Sequence, residues 1–271
     1  MKNKTHNNLY FHIGLPRTGT TFLQNSLFNK INNINYILKP NFSDIKNKII
    51  KNKINLVSDE GLLGNVWDGD RFQAINRIYK HYPHAKIIIG FRMHDKWVQS
   101  MYSLYLKRGG SLKVQEFLDL KNNNGVLNTN QLNFSKLLIQ IRNKFSSPPF
   151  VYFLEDIENN NQKLLKNLEN FLEIKFSNKK INFKSPKNRG LNGKQKELCR
   201  KINSFFISKY NQRGFVKLNF INKFNLYPIK ISSFFYSSNK NKVKFKDKWF
   251  YDELKLIYKD DWELLVTKSR T

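Results

Sequence analysis

Residues 9–28 constrain the fold of this chain more than any other stretch. Leu9-Tyr-Phe-His-Ile-Gly14 is an apolar run of strand length, and Thr20 to Phe28 repeats Phe22, Leu23, Leu27 and Phe28 at helical spacing. Between them lies Gly14-Leu-Pro-Arg-Thr-Gly19-Thr-Thr21. A strand that enters a glycine-bounded loop and leaves it as a helix aims the first free N–H groups of that helix at the loop, which creates a place for an anion.

The rest of the chain continues the alternation. Strands are expected at Ile54–Val57, Lys86–Phe91 and Phe150–Leu154. Helices are expected at Asp70–His81, Asp95–Lys107, Ser111–Leu120, Asn133–Phe145, Asn161–Leu172, Lys194–Tyr210 and Asp247–Val266. Tyr82-Pro83 and Arg108-Gly-Gly110 supply helix stops. Asn211 to Lys246 has no assignable element. Alternating strands and helices imply right-handed crossovers and an α/β fold: one P-loop-type three-layer domain over 1–271, its central parallel β-sheet flanked by helices.

Composition sets the partner classes. Lys and Arg total 48 against 20 Asp and Glu, a net +28, and from Lys175 to Lys248 there are 17 Lys and 3 Arg against Glu197 and Asp247. That stretch holds +18 of the excess. Such a field favours nucleic acid, an acidic membrane surface or an acidic glycan. A chain rich in Lys, Asn and Ile reads equally as the codon bias of an A/T-rich genome. With 40% hydrophobic residues a core is affordable. Cys199 is the single cysteine, which excludes an internal disulfide and a CxxC motif. No apolar run approaches the roughly 20 residues of a membrane span. Leu9 to Gly14 is too short for a signal-peptide core, so a cytoplasmic protein is expected, free or held peripherally at the inner membrane surface.

The loop discriminates further. A Walker loop carries Lys directly after its second glycine, but that slot is Thr20, and the basic residue is Arg17 within the loop. This favours a ligand with a single 5′-phosphate and a leaving group beside Arg17. An ordinary Gly-Thr turn before a helix would use the same residue types. With Pro16, Arg17 and the Gly-Thr-Thr ending, however, the segment resembles the phosphosulfate loop of the sulfotransferases that use PAPS (3′-phosphoadenosine-5′-phosphosulfate). The resemblance implies that Arg17, Thr18, Gly19, Thr20 and Thr21 hold the donor, with Arg17 on the leaving phosphate. Most of that family has Lys at the Arg17 position; the tyrosylprotein branch has Arg, a planar fork where Lys is a point charge.

The resemblance extends to Gly90-Phe-Arg92 and to Ser100, eight residues after Arg92. An Arg leaving a strand and a hydroxyl on the next helix form an anion clamp, and in the family this pair holds the 3′-phosphate. Taken alone, Ser100 reads as a helix-packing residue and Arg92 as half of a surface ion pair. Tyr105-Leu-Lys-Arg-Gly-Gly110, Val151-Tyr-Phe-Leu-Glu-Asp156 and Lys187-Asn-Arg-Gly190 prolong the likeness over residues 9–200. It implies that Arg189 and Gly190 close over the 3′-phosphate, against a plain solvated loop.

Sulfuryl transfer needs a base beside the acceptor. Glu60, in Ser58-Asp-Glu-Gly61, resembles the catalytic Glu of the glycan and tyrosylprotein branches; Asp59 is its nearest rival, and a solvated carboxylate pair is the bland alternative. His94 is a competing base with a packing role more in keeping with its position, and His12 reads as a satisfied core histidine. Trp67 is a candidate substrate platform, whereas Trp97, Trp249 and Trp262 read as core. No spacing suggests a metal site, and the resemblance implies none.

The resemblance therefore implies a bacterial, carbohydrate-type sulfotransferase that moves a sulfuryl group from PAPS to a hydroxyl or amine, foremost of a glycan or other acceptor of anionic character. A P-loop nucleotide kinase or NTPase and a basic nucleic-acid-binding protein are the alternatives. The missing Walker Lys counts against the first, and the absence of a binding motif against specific nucleic-acid contacts.

Overall fold

Short runs of Ile, Val, Leu and aromatic residues build five strands: β1 (Leu9–His12), β2 (Ile34–Leu38), β3 (Ile54–Ser58), β4 (Lys86–Phe91) and β5 (Phe150–Phe153). They pair in the order β2-β3-β1-β4-β5, every neighbour parallel, so β1 lies at the centre. The computed structural model describes residues 8–159, 161–176, 191–217 and 247–270. The chain divides into two units, one of Met1–Met93, Asn130–Lys187 and Lys259–Thr271, the other of His94–Thr129 and Asn188–Tyr258.

The sheet belongs to the first unit, with α1 (Thr20–Phe22), α2 (Ile45–Lys48) and α3 (Arg71–His81). In parallel sheets both faces are covered, and alternation along each strand divides the side chains between them. Tyr10, Leu56, Ile88 and Tyr152 pack on one face with Leu23, Leu27 and Phe28 and with the later Leu164, Leu168 and Leu172. On the other, Phe11 meets Tyr82 at 5.2 Å between ring centroids, Phe91 meets Phe134 at 5.6 Å and Phe153 meets Trp262 at 5.1 Å. Each fully buried side chain of this kind contributes about 1.5–3 kcal/mol. Helix α3 starts at Asp70, whose carboxylate accepts from the Gln73 N–H at 3.0 Å, and ends at Tyr82 as its proline requires.

The second unit contains α4 (His94–Lys107) and α5 (Val114–Phe117). The first unit resumes with α6 (Phe134–Lys144), α7 (Leu154–Asn159) and α8 (Asn161–Leu172). Then α9 (Gly193–Phe205), β6 (Phe206–Ile207), β7 (Val216–Lys217) and α10 (Lys248–Ile257) belong to the second unit, and α11 (Lys259–Arg270) to the first. In the second unit the Gly109 and Gly110 N–H groups return to the Leu106 and Tyr105 carbonyls and close α4. The Asn203 amide donates to the Leu106 and Gly110 carbonyls at 2.8 and 2.7 Å. Cys199 is buried beside them, and burial pushes its thiol up to about 11, so it serves as core.

Several sequence expectations change. Strand β2 was not expected. The helix over Thr20–Phe28 is α-helical only to Phe22, then widens into a π-turn at Leu23–Leu27 and tightens to a 3₁₀ turn at Phe28–Lys30. The expected helix at Ser111–Leu120 is reduced to α5, and the one at Lys194–Tyr210 stops at Phe205, where β6 begins. The long terminal helix breaks at Tyr258. Of the unassigned stretch, residues 218–246 lie outside the described residues. Among the described residues no helix is long and apolar enough to cross a membrane.

Candidate active site

The carboxyl ends of β1, β3 and β4 lie side by side, because Asp59 N–H donates to the His12 carbonyl at 3.1 Å and Leu15 N–H to that of Gly90 at 3.3 Å. Ligands of open parallel sheets bind at this edge. Three loops meet there: Gly14–Thr21 after β1, Asp59–Gly64 after β3 and the Arg92 turn after β4.

The loop after β1 is held from within. Thr18 and Thr20 are buried, and both hydroxyls donate to the Leu15 carbonyl, at 2.6 and 3.3 Å. Gly19 stands at the N-terminus of α1 with φ 92, a backbone conformation that favours glycine, and a Cβ there would press on the end of the Ile157 side chain at 2.7 Å. Arg17 has φ 69, a left-handed backbone rare for a long side chain and a form of strain that concentrates at functional loops. The Thr20 hydroxyl, expected to help hold the ligand, is spent inside the loop, leaving Thr20 its N–H; the exposed hydroxyl is that of Thr21.

Arg17 is half-buried, and its pKa is lowered first by that burial, then by Arg92 beside it, while Glu60 acts in the opposite direction. These three residues, from three loops, therefore share one electrostatic neighbourhood. Two guanidiniums this close repel until an anion is shared between them. The Nε of Arg92 is buried and has no hydrogen-bond acceptor among the described residues. Of the two carboxylates after β3, Asp59 caps the turn Glu60–Leu63, accepting from the Gly61 N–H at 2.8 Å. Glu60 is half-buried and near enough to Arg17 and to the Tyr152 hydroxyl to shift both.

Other candidates fall elsewhere. Ser100 is half-buried on α4, in the second unit. Arg189 and Gly190 lie outside the described residues. Trp67 is only 5% exposed, which leaves no open ring for a sugar, while Trp249, expected in the core, is 57% exposed. His94 is buried with its ring stacked on Tyr258 at 5.0 Å, a packing role. His12 is fully buried and bonded at both ring nitrogens, to Ser58 Oγ at 2.7 Å and Tyr152 Oη at 3.0 Å; burial holds its pKa down to about 3. Sequence reasoning missed Tyr152, Ser58 and Gln24 beneath the loop. Among the described residues no group of three or more His, Cys, Asp or Glu could hold a metal ion.

Fold and site together define a P-loop-type α/β domain whose sheet edge carries two arginines and a glutamate and lacks the Walker lysine. No family model matches the chain, and no curated protein sequence matches it either. Among solved structures it is similar to a sulfotransferase from Alicyclobacillus acidocaldarius, at TM-score 0.49 and 13% identity, over 62% of this chain and 81% of that one. It is also similar to mouse sulfotransferase SULT7A1 complexed with PAP, at TM-score 0.44 and 16% identity, over 64% of this chain and 61% of the mouse chain. At these scores and identities neither likeness assigns an activity.

Proposed function

We propose that the protein is a PAPS-dependent sulfotransferase, with a carbohydrate hydroxyl or amine as acceptor. The observation that carries the reading is the convergence of Arg17, Arg92 and Glu60 at the carboxyl edge of the sheet. Two cations suit a ligand with phosphates at both ends, and the buried Arg92 Nε is an unused donor that a 3′-phosphate oxygen would satisfy. Arg17 sits within the glycine loop, where the 5′-phosphate would lie against the loop N–H groups and those of Thr20 and Thr21.

PAPS supplies an activated sulfuryl group on a phosphate leaving group. Glu60 takes the proton of the acceptor hydroxyl as the acceptor oxygen bonds to sulfur and the bond from sulfur to the bridging oxygen breaks. Arg17 stabilises the charge that then develops on the departing phosphate, which leaves as PAP. Ser100, and Arg189 with Gly190, are proposed to complete the 3′-phosphate contacts. A net charge of +28 suits an acceptor that is itself anionic and a location in the cytoplasm or peripherally at the inner membrane surface.

Calorimetric titration with PAP, beside ADP and Mg·ATP at the same salt, tests the reading. Micromolar PAP binding that is lost in Arg92→Ala is expected. Equal or tighter Mg·ATP binding, or no PAP binding at all, would overturn it.

A further inference from the structure

The second unit displays two phenylalanines to solvent, Phe215 84% and Phe205 59% exposed, and Val216, at 44%, follows the first. One exposed apolar residue on a surface needs no account, but a group of them does. The Phe215 N–H donates to the Phe205 carbonyl at 2.9 Å, so the two lie abreast where α9 passes into the ribbon of β6 and β7.

The support beneath them is built of buried polar groups. Asn211, only 8% exposed, donates from its amide to the Asn203 and Phe206 carbonyls at 2.8 and 2.9 Å. Ser208 Oγ donates to the Gly109 carbonyl at 2.9 Å, which ties the turn between the strands to the residues that close α4. At Gly214 a Cβ would come within 2.3 Å of the Phe206 carbonyl carbon, so the backbones approach to a distance that a side chain would forbid. Rings held out on a fixed support forgo burial, and a partner that covers them recovers it without having to order the ribbon first.

Charge identifies the partner. From Leu198 to Lys246 eleven residues are Lys or Arg and none is Asp or Glu. Lys209, Arg213 and Lys217, all exposed, belong to the ribbon and its turn. The carboxylate just before this stretch, Glu197, is engaged by Arg200 at 2.8 Å. Aromatic rings that enter the headgroup layer, flanked in sequence by cations that stay with the phosphates, suit an anionic bilayer. A nucleic acid would use the same cations, but bases stack on flat faces and Val216 offers none.

We propose that the ribbon of β6 and β7 docks the protein on an anionic lipid surface, with Phe205 and Phe215 entering the headgroup layer and Lys209, Arg213 and Lys217 against its phosphates. This goes beyond the sulfotransferase reading and does not depend on it, since a chain that fails to bind PAP can still dock.

Sedimentation of the full chain with vesicles tests the proposal. At physiological ionic strength the protein should bind vesicles of phosphatidylglycerol with phosphatidylcholine and not those of phosphatidylcholine alone. Phe205→Ser with Phe215→Ser should weaken that binding by about tenfold or more without lowering the melting temperature. Lys209→Gln with Arg213→Gln should cost roughly fivefold per charge, whereas Lys51→Gln with Lys53→Gln, an exposed pair in the first unit, should cost little. A polarity-sensitive dye on Phe215→Cys should shift to the blue when the anionic vesicles are added; Cys199, buried and with its thiol pushed up to about 11, does not compete for the label. Equal losses from the two charge pairs, or none from the phenylalanine pair, would reduce the association to diffuse charge and overturn the proposal. A dye already blue and unmoved by vesicles would mean that another part of the chain covers the ribbon, and would overturn it too. So would tighter binding to a single-stranded oligonucleotide than to the anionic vesicles, weakened by the same substitutions.

Discussion

The loop after β1 and the turn after β3 end at the same sheet edge, one strand apart, and are held in opposite ways. The first is fixed from within by two buried threonines whose hydroxyls close on the Leu15 carbonyl, and by a glycine at φ 92, beside a buried histidine and tyrosine that bond each other. The second is a short turn that depends on one cap from Asp59 to the Gly61 N–H, with Glu60 half-buried beyond it. A site for one constant ligand gains from rigidity, since nothing must be ordered on binding. The proposed base must meet a separate acceptor and needs reach, which a lightly held turn leaves it.

If that contrast is real, the two sides should fail differently. Glu60→Gln should lower turnover by about 10²–10⁴-fold, the range of a lost general base, with PAP affinity in calorimetry nearly intact. Normal turnover would remove Glu60 from the chemistry. Arg17→Ala should cost about 10²–10³-fold in turnover, the range for one lost charge-stabilising donor, and should weaken PAP binding as well. An effect on turnover alone would separate Arg17 from ground-state binding. Arg92→Ala should act on affinity only, by roughly 1.5–3 kcal/mol for hydrogen bonds to a charged group, read as a raised donor KM at unchanged kcat.

The sheet edge was legible in sequence to the extent that its parts are local. Lys86–Phe91 is an unbroken apolar run with Arg92 just after it, and the loop announces itself through glycine spacing between strand and helix. Strand β2 was not, because Ile34-Asn-Tyr-Ile-Leu38 is a half-buried edge with polar Asn35 inside it and too little alternation to stand out. Helices at Ser111–Leu120 and Asp247–Val266 were read too long, since apolar spacing continues past the turns that interrupt them. The polar chain under the loop leaves no sequence trace at all. His12 bonds to Ser58 and Tyr152, 46 and 140 residues away, and only the parallel register brings those strands together.

The smallest expected effect is on stability and concerns His12 alone. Burial lowers its folded pKa to about 3, against 6.5 for an ordinary histidine. Between those values the unfolded chain binds a proton that the native state refuses. Stability is therefore full above pH 6.5 and is lost as pH falls toward 3, at about 1.4 kcal/mol per pH unit once the unfolded histidine is protonated. The carboxylates of the chain add slopes of their own, so the informative quantity is a difference. His12→Gln keeps a neutral polar side chain and cannot take up the proton. Denaturant titrations from pH 6 to pH 4 should show the wild type losing stability more steeply than the variant by about one proton's worth. Parallel pH profiles would mean that His12 is already charged in the folded protein. The rigid side of the comparison would then rest on Gly19 and the threonines alone.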